Sequence, residues 1–281
     1  ASVAAAVALE KGIAAPVAAN TNDASVAIAQ ALLAGERKAI LLGNGAAHHA
    51  QASSLLALAQ WLADQTGASF GYLTEAANTV GAQLVGAQPS AGGLNAGQML
   101  GGALKAVVLL NTEPEFDSAA GVQAVEALGK AQMVVSLSPF KANMAFCDVM
   151  LPVSPFTETS GTFVNAEGRA QGFHAVVQPL GETRPAWKVL RVLANMLDVP
   201  GFDFNSSDEI LKSIAGLTSG ESVQVAADRL SNRTAASIQL GVPAGVPVVA
   251  AIYQLDGIVR RAPALQLTAD ARSAETQEVA A

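Results

Sequence analysis

Three short stretches of the chain carry the residue types and spacings from which chemistry could be built. Gly43-Asn44-Gly45 ends an apolar run and precedes a helical pattern, which is where a doubly wound sheet offers backbone N–H groups to a phosphate. The third glycine of a dinucleotide-binding turn is missing at its spacing, and His48 and His49 read as surface residues at a helix start rather than as ligands. Asn111-Thr-Glu-Pro-Glu-Phe-Asp117 follows a second apolar run. Its three carboxylates read as an acidic loop and helix start, and they would repel an anionic pyrophosphate. The third stretch holds Glu158, Gly161, Thr162, Asn165, Glu167, Gly168 and Arg169. It offers no pairing of nucleophile and base. Its expected role is to hold a chain-crossing loop rigid, with glycines at backbone angles closed to other residues, Thr162 and Asn165 bonding nearby backbone, and Glu158, Glu167 and Arg169 pairing.

Cys147 is the chain's one cysteine, so a cluster or structural zinc site needing several thiolates cannot be housed here and no internal disulfide is possible. A single thiol before an apolar strand reads as an inert core group in a reducing compartment. No metal ligand set is expected.

The elements that would position these residues alternate. A helix over 24–33 is followed by a strand at 38–43, a helix over 48–64 and a strand at 68–72. Beyond a glycine-rich stretch at 81–102 come a strand at 105–110, a helix from Asp117 to Gly129, and strands at 132–136 and 149–152. Continuous apolar strands between amphipathic helices predict an α/β fold with a doubly wound, mainly parallel sheet covered on both faces. A loop-rich, partly helical C-terminal extension follows, with helices at 185–197 and from the Ser206/Ser207 cap to Ala215. Three parts are expected: a linker at 1–22, an α/β domain at 23–200 and an extension at 201–281 with a mobile end.

Hydrophobic residues make up 51% of the 281-residue chain and charged ones 14%, with mean hydropathy +0.35, so there is little charged surface to cover a monomer and a partner interface is expected. The net charge of −7 leaves no basic field for nucleic acid. The opening Ala1–Leu9 lacks an initiator Met and a basic flank, which suggests a piece of a longer chain rather than a signal peptide. The apolar stretch 239–253 is broken by Pro243 and Pro247 and falls short of the roughly 20 residues of a membrane helix, so no direct membrane insertion is expected.

The window Asp148-Val-Met-Leu-Pro152, then Glu158-Thr-Ser-Gly-Thr-Phe-Val-Asn-Ala-Glu-Gly-Arg-Ala-Gln171, resembles the signature of the molybdopterin oxidoreductase superfamily. Gly181-Glu-Thr-Arg-Pro-Ala-Trp-Lys188 is similar to the helix start that follows it there. The resemblance covers about 24–197 and makes the Asn111–Asp117 loop the counterpart of a ligand-facing loop, with Gly43, Asn44, Gly45 and Asn111 as vestigial cofactor contacts. Active relatives resemble Gln-Asp-x-Phe where this chain has Ser136-Leu-Ser-Pro-Phe140, so the carboxylate available to the cofactor's guanine is missing and molybdopterin is not expected to bind. The tail, Ile252-Tyr-Gln-Leu-Asp-Gly-Ile-Val-Arg260-Arg261-Ala-Pro-Ala-Leu-Gln266, resembles the C-terminus of the iron–sulfur, molybdopterin-oxidoreductase-like subunit of bacterial respiratory NADH:quinone oxidoreductase, known as complex I.

That likeness implies a scaffold portion without catalytic residues or a redox centre of its own. The iron–sulfur clusters would sit in an upstream part of the subunit, electrons would pass from NADH to quinone in the parent complex, and the other peripheral-arm subunits would be the partners. The implied place is peripheral, on the cytoplasmic side of the inner membrane. Arg260 and Arg261 are the expected docking residues, on an extended strap at 246–266 laid on the chain's own sheet or on a neighbouring subunit. Two other readings stay open: the cofactor domain of a working molybdopterin enzyme such as a formate dehydrogenase, and the central domain of a thiamine-diphosphate enzyme, which the 24–72 pattern resembles. His174 and Trp187 are expected to pack.

Overall fold

The computed structural model describes residues 1–90, 92–102, 104–214, 223–225, 230–241 and 252–272. The expected mobile end and the start of the tail strap at 246–251 lie outside these residues. The chain divides into two compact units, one of residues 1–80, 164–168 and 225–249, the other of 81–163, 169–224 and 250–281. This partition does not follow the expected boundaries at 22 and 200.

In the first unit, α1 (Ser2–Lys11) and α2 (Asp23–Ala34) precede β1 (Ala39–Leu42), the single turn α3 (Asn44–Ala47), α4 (Ala52–Thr66) and β2 (Ser69–Tyr72). The stretch expected to be a linker therefore holds the ten-residue helix α1, and the cause is composition. An alanine-rich run with Ala4, Ala6 and Val7 fully buried packs on α2 and α4, and Gly12 ends it in the left-handed region at φ 63°. Helix α2 starts at a capping box: Asn22 accepts from the Ser25 N–H at 2.8 Å while the Ser25 hydroxyl accepts from the Asn22 N–H at 2.9 Å. Strands β1 and β2 pair in parallel, with Ile40 opposite Phe70. The segment 230–241 has no regular structure and runs along α4 on hydrogen bonds from Thr234 N to Gln60 Oε1 (2.8 Å) and between Gln239 and Ser54 (3.0 and 2.9 Å).

In the second unit, α5 (Thr79–Leu84) and α6 (Ala96–Gly101) lead to β3 (Ala106–Leu110), α7 (Pro114–Asp117), α8 (Val122–Leu128), β4 (Met133–Ser138) and β5 (Val149–Pro152). Strands β3, β4 and β5 form a parallel sheet in that order. The central strand is its core, with Leu137 and Val134 fully buried. Of the helix expected over 117–129 only α8 forms, because α7 already ends at Asp117. Gly121, at φ 52°, and the non-helical Ser118 interrupt it. A hairpin of β6 (Gly161–Val164) and β7 (Arg169–Phe173), whose turn at 164–168 belongs to the first unit, α9 (Ala186–Met196), α10 (Ser207–Ser213) and the short β8 (Val223–Gln224) follow, and β8 pairs antiparallel with β7. The tail forms α11 (Ile252–Leu255), a 3-10 turn at Val259–Arg261 and α12 (Pro263–Gln266). The expected extended strap is thus compact and mostly helical in its described part, because the Asp256 carboxylate caps the turn by accepting from the N–H groups of Ile258 (2.8 Å) and Val259 (2.9 Å).

The fold is α/β with parallel strands and flanking helices. The expected cover on both sheet faces is incomplete: Leu41 in β1 and Val108 in β3 are 57% and 54% exposed. No helix among the described residues is long and apolar enough to cross a membrane.

Candidate functional site

In a parallel sheet the loops beyond the carboxyl ends of the strands converge, and that is where such folds place ligands. In the second unit this position is built from the β3–α7 loop, the end of β4, the turn after it, and the tail. Asn111, at φ 50°, ends β3, and its N–H donates to Leu137 O at 2.8 Å, which fixes the loop to β4. Glu113 then begins α7 with its N–H bonded to Asp117 Oδ2 at 2.7 Å. Asn143, buried in the 3-10 turn after β4, donates to Thr112 O and to Ser136 Oγ, both at 2.9 Å. Ser138 Oγ accepts from Phe140 N at 3.0 Å.

Into this polar floor comes the tail. The Arg261 guanidinium is 2.8 Å from Glu113 Oε1, and Arg260 reaches Asp117 Oδ1 at 3.0 Å and Glu113 Oε2 at 3.3 Å. The last contact is ionic but lies outside hydrogen-bond geometry, so Arg260 Nε and Glu113 Oε2 attract without a directed bond. Each guanidinium also stacks on a ring, Arg260 over Phe116 at 4.7 Å and Arg261 over Phe140 at 4.1 Å. Remaining donors go to tail carbonyls: Arg260 to Gln254 and Arg261 to Gly257 at 2.7 Å. The side chains of Arg260 and Glu113 are only 7% and 6% exposed, whereas Arg261 keeps 34%. Arg260 is therefore a buried cation compensated by two carboxylates, not a solvated rim charge. A cavity of about 270 Å³ remains beside it, lined by Asn111, Ser138, Phe156 and Asp256 among others.

The corresponding position in the first unit is barer. Gly43 caps α3, which is one turn long, too short for a helix dipole to gather an anion. His48 Nε2 lies 2.8 Å from Glu75 Oε2 in an exposed pair, and His49 Nδ1 accepts from Gln51 N at 2.9 Å. Tyr72, opposite Leu42 in the ladder, has its phenol pushed up by burial.

The signature residues divide by what they hold. Asp148 Oδ2 accepts from Val134 N at 2.7 Å, tying the start of β5 to β4. Glu158 Oε2 accepts from Leu180 N at 3.0 Å, so its carboxylate anchors the loop after β7. Asn165 makes the turn between β6 and β7 by accepting from Glu167 N (3.1 Å) and Gly168 N (2.9 Å), with Gly168 at φ 80°. Arg169 opens β7, opposite Gln224. Gly161 corrects the expectation of a special backbone angle, because it is not left-handed. Its constraint is close approach, since a Cβ there would lie 2.8 Å from Phe173 Cζ. Thr162 and the exposed His174 line a cleft of about 710 Å³ with Trp187, so neither fills a core.

Sequence reasoning missed Asn143. A lone asparagine in a turn carries no local mark of a partner seven residues back. It also missed that Glu113 and Asp117 are the partners of Arg260 and Arg261, separated by more than 140 positions. Among the described residues no group of three potential metal ligands is present.

The molybdopterin oxidoreductase family matches residues 12–196, two thirds of the chain, and the protein belongs to that family. A stretch of 88 residues, 31% of this chain, is 43% identical to a protein named as a formate dehydrogenase in Staphylococcus aureus strain bovine RF122 / ET3-1, and 40% identical to one of that name in strain USA300. The match spans 9% of the length of each relative.

Proposed function

We propose that this chain is a structural, pterin-free portion of a larger oxidoreductase subunit, the iron–sulfur, molybdopterin-oxidoreductase-like subunit of respiratory NADH:quinone oxidoreductase, peripheral on the cytoplasmic side of the membrane. The observation that carries the reading is the strand-end crevice of the second unit, where the chain's own Arg260 and Arg261 are ion-paired to Glu113 and Asp117. A molybdopterin cofactor is bulky and anionic. The residues present are a poor fit to it. The remaining cavity of about 270 Å³ is smaller than the roughly 300–1,000 Å³ of ordinary ligand pockets, and both arginines that could attract phosphate are neutralised by the carboxylates beside them. Strand β4 itself ends in Ser136 and Ser138 and carries no carboxylate of its own for a guanine edge, and the neighbouring Glu113 and Asp117 are committed to the arginines. Exposed apolar residues on the strands, Leu41 and Val108, support a scaffold covered by partner subunits, with the clusters that move electrons housed in an upstream part of the subunit.

The native protein tests this. After mild-detergent fractionation of source cells, the chain should co-migrate with NADH:quinone oxidoreductase activity. Co-migration with formate oxidation instead would establish the other reading, a cofactor domain of a formate dehydrogenase, which the names of the relatives favour.

A further inference from the structure

The strand-end crevice has the composition of a receptor for guanidinium. Two carboxylates, one of them buried, converge with two aromatic faces, and such a group is satisfied by planar, forked cations far better than by a compact ammonium. Everything that fills it comes from one short piece of the same chain. The loop side is equally local: Glu113, Phe116 and Asp117 belong to one turn of helix, and Phe140 follows β4. Within the tail the hydrogen bonds are internal, with Gln266 Nε2 donating to Val259 O at 2.9 Å and Tyr253 O at 3.1 Å, and its four-residue helices are too short to persist undocked, so release from the crevice exposes the tail's own amides. The sheet is likewise tied without the tail, through Asn111 N to Leu137 O and Asp148 to Val134.

We propose that the tail, residues 252–272, is the resident ligand of a guanidinium receptor at the strand ends, and that Arg260 and Arg261 form a latch that opens as a unit separable from the sheet. The proposal rests on the reading of this crevice as closed to a pterin. When the latch opens, the strand ends and Phe116 and Phe140 become accessible while β3, β4 and β5 stay paired.

Amide hydrogen exchange on the full chain reads this directly. Arg260→Ala should speed exchange at the tail amides of Arg260, Ala262 and Gln266 and at the loop amides of Phe116 and Asp117 together, by tenfold or more. The amides of Asn111 and Asp148 should be unchanged. Glu113→Gln should give the same pattern from the other side, and Arg260→Lys should fall between the Ala variant and the wild type. In the unmodified chain, methylguanidinium chloride at about 0.1 M should speed tail exchange at least threefold more than sodium chloride at equal ionic strength, which controls for screening.

Tail exchange unmoved by Arg260→Ala would overturn the latch, and so would a rise that includes Asn111 and Asp148, because the tail would then open only with the sheet. Equal effects of the two salts would remove the guanidinium specificity. The pterin content of the wild-type chain is a separate measurement. A bound pterin would overturn the closed-crevice reading whatever the exchange pattern, and its absence leaves the latch to stand or fall on exchange alone.

Discussion

The two parallel ladders of this chain end differently. Beyond β1, the Gly43–Gly45 turn stands beside an exposed His48–Glu75 pair, and among the described residues no buried ion pair is found there. Beyond β3 and β4, two carboxylates, two guanidiniums and two aromatic rings are packed into one site with Arg260 almost wholly withdrawn from water. The fold makes the same place available in both units, and among the described residues only one is filled by the protein itself. A strand end is therefore an opportunity rather than a function. What decides its use is the set of side chains, some very distant in sequence, that reaches it.

The largest expected effect comes from breaking the filled end. Arg260→Ala leaves Glu113 buried without one of its partners and should weaken docking of the tail by about 3–5 kcal/mol, the range for removing one side of a buried pair, with the sheet still paired. Faster hydrogen exchange of the tail at an unchanged rate for the sheet checks it. The double variant Arg260→Ala, Glu113→Gln should lose clearly less than the sum of the single losses, because each change removes the charge that the other would strand. Additive losses would mean the pair is not coupled.

Next comes the hairpin. Gly161→Val would drive its side chain into the Phe173 ring and should cost about 1–3 kcal/mol through overpacking, while Gly161→Val combined with Phe173→Ala should recover part of it. An unchanged midpoint for the single variant would show that the ring yields freely.

Asn143→Ala should cost about 1–3 kcal/mol, since it leaves Thr112 O and Ser136 Oγ without their shared donor. A thermal melt of the variant measures it. The smallest effect belongs to the bare end. Glu75→Gln should change stability by no more than about 1 kcal/mol, because the His48 pair is exposed. A loss as large as that of Arg260→Ala would erase the contrast between the two strand ends.

The strands were legible because apolar runs such as Ala106–Leu110 and Met133–Ser138 leave few alternatives in an α/β chain, and the motif from Glu158 to Gln171 carried the family in one window. The helix within 1–22 was not, since an alanine-rich run with no polar face reads equally as linker until its small side chains are seen filling the space against α2. For the site, the individual residues Asn111, Glu113, Asp117, Arg260 and Arg261 all stood out by type. Their mutual pairing did not, because no periodicity links positions so far apart, and local rules see the arginines as solvated. Gly161 shows the same limit from the other side. A glycine required by a ring across the hairpin leaves the same mark in sequence as one required by its own φ.

If the second unit's strand end is closed by the chain's own arginines, it does not hold a pterin. The most direct measurement is molybdenum and pterin content per chain, by elemental analysis and fluorescence of the oxidised pterin, on the native protein purified from cells that make the cofactor. The closed crevice predicts neither at stoichiometric level. One molybdenum and its pterin per chain, lost in a variant that fills the cavity beside Arg260, would contradict it.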